Sequence, residues 1–75
     1  MKAITTKYIS ATNTKGARIK AFDLDNNQVT IPYPYNLDVK AGHEKAMKRL
    51  LEKMDWHGEL IGGATKDGYV WVFKE

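Results

Sequence analysis

The chain has 75 residues, no cysteine, 43% hydrophobic residues and a formal net charge of +3. That length holds one domain, residues 1–75, which buries only roughly 60–65% of the surface its unfolded form exposes and is marginally stable alone. Without cysteine there is no disulfide framework and no thiolate metal site; the apolar content argues against global disorder, and no apolar run approaches the roughly 18 residues of a membrane span.

In chain order, the N-terminal "MKAITTKYIS" has an early lysine but no apolar h-region, so a signal peptide is not expected and a cytoplasmic setting is. Residues 3–9 read as a strand with Ile4, Thr6 and Tyr8 on one face and Thr5, Lys7 and Ile9 on the other. Thr12 to Gly16 read as a turn in which Gly16 supplies a positive φ and Asn13 and Thr14 bond local amides. Arg18 to Leu24 reads as the next strand, with Ile19 and Ala21 opposite Arg18 and Lys20. Phe22 and Leu24 then fall on the basic side, which predicts a bulge or an end to pairing near Phe22. "DLDNNQ" is a turn, because Asp25, Asn26 and Asn27 tolerate the left-handed region. Gln28 to Tyr33 is a third strand, and Pro32 and Pro34 place it at a sheet edge or end it.

The helix signal is the apolar stripe His43, Met47, Leu50, Leu51 and Met54, at period 3.6. Asn36 or Asp38 can cap its start, and Gly58 lies past its end. "ELIGGAT" and "YVWVFK" then flank Lys66-Asp67-Gly68, a loop that suits a type I turn with a G1 bulge at the glycine. Gly62-Gly63 within a strand predicts a bulge or a close approach of another backbone. The order β-β-β-α-β-β predicts an α+β fold: an antiparallel sheet of four to five strands with one helix packed on one face. The other face is then solvated or meets a partner.

Charge is unevenly placed. Residues 1–20 hold Lys2, Lys7, Lys15, Arg18 and Lys20 and no acid, whereas residues 21–75 hold seven basic and nine acidic residues. Such asymmetry points to an anionic partner, nucleic acid (DNA or RNA) or another polyanion. The candidate site is Lys7, Tyr8, Asn13, Thr14, Lys15, Gly16, Arg18 and Lys20: amide, hydroxyl and backbone donors beside cations can hold phosphate oxygens weakly and without regard to sequence. The competing reading is a self-satisfied turn with lysines around it. The pattern lacks the spacing of a P-loop. A second group, Tyr33, Tyr35, Tyr69, Trp71 and Phe73, would serve as an interaction face if left uncovered, for stacked bases, a host protein or a homodimer. Aromatic residues are more often core, which favours Trp71 and Phe73 beneath the helix. Asp55, His57 and Glu59 are residue types that bind metals, but the two histidines, His43 and His57, form no recognised ligand spacing, and neither Ser10 nor any threonine sits in a nucleophile motif. A non-enzymatic protein with no cofactor and no metal is expected.

The segments "YISATNTKGARIKA", "VTIPY", "MDWHGEL", "IGG" and "KDGYVWVF" together resemble a family of small uncharacterised proteins carried by bacteriophages, plasmids and other mobile elements, almost end to end. The most specific piece is Tyr, a short spacer, then Thr-Asn-Thr-basic-Gly-x-Arg-Ile-Lys-Ala, here Tyr8 to Ala21. Many relatives have Gly-Pro before Thr-Asn-Thr; this chain has Ser10-Ala11. The resemblance implies a phage or plasmid setting in a host cell, and it adds no catalytic residue.

Overall fold

The computed structural model describes residues 3–74. Strands β1 (Ala3–Ile9), β2 (Arg18–Phe22) and β3 (Gln28–Pro32) precede helix α1 (Val39–Met54), and β4 (Leu60–Ala64) and β5 (Gly68–Phe73) follow it. The five strands form one antiparallel sheet in the order β3-β2-β1-β5-β4. The first strand is central and β3 lies at an edge, where the prolines of its C-terminal end leave no ladder donor to lose. Lys2 lies outside the described residues.

Alternation fixes the faces. Ile4, Thr6, Ile19, Ala21, Ile31 and Trp71 are buried on one side of the sheet and meet Gly42, His43, Ala46, Met47 and Leu50 of α1. Leu51 and Met54 flank that stripe half-buried. Gly42 and Ala46 let the helix axis approach the sheet; a Cβ on Gly42 would lie 3.1 Å from the Pro34 Cγ and 3.4 Å from the Ile19 Cδ1. The helix covers this side only. Thr5, Lys7, Ile9, Arg18, Lys20, Phe22, Val70 and Val72 lie on the other, helix-free side.

Asp38 is the N-cap, its carboxylate accepting from the Ala41 amide at 2.7 Å. At the C-terminal end the helix stops earlier than Gly58. Asp55 adopts the left-handed region (φ 56°), and the Trp56 amide reaches back to the Leu51 carbonyl at 2.9 Å, a Schellman closure. Gly58 keeps a positive φ of 137° and packs beneath Phe73, past the helix rather than at its cap.

Three sequence expectations about glycine are corrected. Among the described residues positive φ is confined to Asn26, Asp55 and Gly58, so neither Gly16 nor Gly68 supplies a left-handed turn. The β4–β5 hairpin closes through the Thr65 amide and the Gly68 carbonyl at 2.7 Å around Lys66-Asp67, with no G1 bulge. Gly68 is needed for proximity instead, because a Cβ there would run into the Thr6 carbonyl of β1. Gly62 lies in unbroken register with Trp71; it leaves room for an indole, not for a bulge or another backbone. Of the two expectations at Phe22 the end of pairing holds and the bulge does not: Phe22 pairs regularly with Thr5 and Gln28 as the last residue of β2. Asn26 takes the left-handed conformation (φ 66°) in the β2–β3 turn, where Asp23 accepts from the Asp25 and Asn27 amides and the Asn27 side chain.

Candidate functional site

The sheet carries three charged residues, Lys7, Arg18 and Lys20, and all three lie on the helix-free face. Among the described residues no Asp or Glu lies in a strand. Lys7 and Lys20 are direct cross-strand partners between β1 and β2, and Arg18 is one pleat further along β2, opposite Ile9. Like charges directly opposite destabilise a sheet. The strands of this face thus hold three cations together without an acid among them. Lys20 also sits over the Phe22 ring, 5.3 Å from its centroid. Arg18 is half-buried, and its Nε is buried with no hydrogen-bond partner. A shallow cavity of about 400 Å³ lies beside it, between Lys15, Gly16 and the β3 residues Thr30 and Pro32.

The β1–β2 loop joins this face through Lys15 rather than through its amide and hydroxyl groups. The Thr12 hydroxyl accepts from the Thr14 and Lys15 amides, and the Thr12 amide donates to the Lys15 carbonyl at 2.7 Å. The turn is therefore internally satisfied around Thr12, a residue outside the sequence-based set. Asn13, Thr14 and Gly16 are exposed at its tip, and nothing lies within 4 Å of a Cβ placed on Gly16. Tyr8 departs from the cations: it projects to the helix side, opposite Ile19, and is 44% exposed.

The aromatic group is not an uncovered platform. Trp71 is only 3% exposed beneath α1, Tyr33 and Tyr69 pack half-buried against the core, and Phe73 shares their face. Tyr35 is 79% exposed, but from the segment before α1 and stacked on Tyr33 with centroids 4.9 Å apart. Pleat parity decides this: Tyr69, Trp71 and Phe73 alternate with Val70 and Val72, and the apolar helix covers the side with the larger rings.

Beneath the helix is a polar cluster that sequence spacing did not reveal. The Trp71 Nε1 donates to the Thr6 hydroxyl oxygen at 3.1 Å, His43 Nδ1 lies 2.9 Å from the same oxygen, and Thr6 donates to the Tyr69 carbonyl at 3.3 Å. With its proton so directed, Thr6 accepts from the imidazole, which holds the Nδ1–H tautomer. Burial lowers the His43 pKa below its ordinary 6.5, opposed by a hydrogen bond to the Thr6 backbone. The ring is thus neutral at neutral pH. The available signal was Thr6 itself, a polar residue on the same parity as Ile4.

His57 Nε2 meets Asp55 at 3.0 Å, both exposed, and no group of three or more metal-ligating side chains occurs among the described residues. Lys48 and Arg49 pair with Glu44 and Glu52 on the outer helix surface. No helix among the described residues is long and apolar enough to cross a membrane. Comparison with known proteins finds no matching family model, no matching curated protein and no matching solved structure.

Proposed function

We propose that the chain is a non-enzymatic nucleic-acid-binding protein of a mobile element, whose contact surface is the helix-free sheet face around Lys7, Arg18 and Lys20, with Lys15 at its margin. The observation that carries this reading is the clustering of every charged strand residue, all basic, on the one face left without a helix. Phosphate oxygens would relieve the Lys7–Lys20 repulsion. The setting rests on the sequence resemblance alone, of which Tyr8 to Ala21 is the most specific piece.

Fluorescence anisotropy across a salt series tests the reading. Three phosphate contacts give a slope of log K against log salt near −2.7 on duplex DNA and about −2.1 on single strands. The Arg18→Ala, Lys20→Ala double variant flattens the duplex slope by about 2. An unchanged slope in a folded double variant would mean that the cations are only solvated surface.

A second reading is a protein partner, a host protein or a second copy. Its support shifts from the aromatic residues to an apolar strip on the same open face, Val70, Val72 and Ile61, of which Ile61 is 55% exposed. Sedimentation that stays monomeric at high concentration excludes the second copy.

A further inference from the structure

The end of the molecule that carries the β1–β2 loop also carries a cleft of about 390 Å³ on the helix side. That is within the range of small-molecule sites. Its lining includes Tyr8, Tyr33, His43, Lys66, Gly68 and Tyr69. Two ring pairs form it. Tyr8 and Tyr33 meet edge-to-face at 5.5 Å, and His43 and Tyr69 lie tilted at 5.1 Å. The second pair is anchored: His43 is held by Thr6, and Tyr69 leans on Trp71 at 5.8 Å. Tyr8 and Tyr69 offer neutral, flat surfaces that suit a planar ring better than an ion, and His43, only 2% exposed, backs Tyr69. Lys66 and Asp67 place one cation and one carboxylate at the rim.

The cleft and the cationic face are close along the chain. Lys7 and Tyr8 are consecutive and leave opposite sides of β1. β5 begins at Gly68, opposite Lys7, and the Asp67 carbonyl takes the Tyr8 amide, so the pairing of β1 with this hairpin ends at Tyr8, at the rim where the two faces of the sheet meet. A polyanion seated on Lys7 and Lys20 therefore has a route round the rim to the tyrosines.

Resting on the nucleic-acid reading above, we propose that this cleft receives an unpaired base, so that the natural ligand is a single strand: phosphates on the open sheet face, one base turned round the rim between the Tyr8–Tyr33 and His43–Tyr69 pairs. A duplex hides its ring faces in its own stack and cannot fill the cleft without flipping a base.

The test compares an oligothymidylate with an abasic oligomer of equal length, which has the same phosphates and no rings, by anisotropy at low salt. Wild type is expected to bind the base-containing strand roughly five- to hundred-fold more tightly, the range for one stacked base. Tyr8→Ala should remove most of that ratio and leave abasic binding unchanged, whereas Lys7→Gln with Lys20→Gln should weaken both ligands alike. Equal affinity of wild type for the two oligomers would overturn the cleft assignment and leave the phosphate-binding face standing; failure of either to bind would overturn both. A readout that needs no variant is the His43 imidazole proton resonance, which should shift on adding oligothymidylate and not on adding the abasic strand. An unmoved resonance at saturation also overturns the assignment.

Discussion

Lys7→Gln should make the protein more stable while weakening its proposed function. Lys7 faces Lys20 across the β1–β2 ladder, with no carboxylate on the sheet to offset the pair. Cross-strand pairs of this kind contribute roughly 0.2–1 kcal/mol, here unfavourably. Glutamine keeps the length of the stem and removes the charge, so a gain of about 0.5 kcal/mol is expected. In a domain of this size that raises the melting temperature by about 2–4 °C. Lys20→Gln relieves the same repulsion but forfeits the contact with Phe22 at 5.3 Å. Exposed cation–π contacts are worth about 0.5–1 kcal/mol, so the two terms cancel and Lys20→Gln should be nearly neutral. The assay is thermal unfolding by circular dichroism at about 10 mM and about 1 M salt, where the screening length falls from about 30 Å to about 3 Å. The gain from Lys7→Gln should appear at low salt and vanish at high salt. An unchanged or lowered melting temperature at low salt would show that the cations do not oppose one another, and the case for a face arranged around an external anion would fail.

Gly62→Ala should cost about 1–3 kcal/mol in urea unfolding, because its Cβ would fall on the Trp71 ring, while Gly63→Ala, with open space around it, should stay within about 0.5 kcal/mol of wild type. Gly16→Ala should stabilise by about 0.4–1 kcal/mol, since the position has neither a positive φ nor a close neighbour; a loss would restore the turn role inferred from sequence. His43 titrates below 6.5 when folded, so the unfolded chain binds more protons as pH falls. Its contribution is therefore intact above 6.5 and is lost as pH drops through the lowered folded value. Stability followed from about pH 7.5 to about pH 5.5 should decline in wild type and be flatter in His43→Gln.

Periodicity made the fold legible. The helical stripe from His43 to Met54 and the alternation in β1, β2 and β5 are local signals that burial turns directly into structure. The basic face was legible for the same reason, because Lys7, Arg18 and Lys20 stand at alternate positions to Ile4, Ile19 and Ala21. Their meeting was not, since the Lys7–Lys20 register depends on how many residues the β1–β2 loop takes up. The glycines misled where a steric role was read as a conformational one. What Gly62 and Gly68 accommodate, an indole and a neighbouring strand, comes from the other strand of the hairpin and from the far end of the chain. The Thr6–His43–Trp71 cluster joins residues 37 and 65 positions apart, beyond the reach of any spacing rule.

The central position of β1 has a consequence for how the molecule is made. The first strand of the sheet in chain order pairs with the last, Ala3 opposite Val72. A fragment that stops short of β5 lacks one side of its central ladder and the indole that reaches Thr6, so folding during synthesis waits for β5. Contacts so distant in sequence also slow folding relative to a helical domain of equal size. The same pairing brings Ala3 and Val72 side by side. A short linker joining β5 to β1, with new ends opened at the exposed residues 35–37 between β3 and α1, would put β1 mid-chain between both of its partners and make its pairing with β5 local, giving a circular permutant that folds faster around an unaltered core.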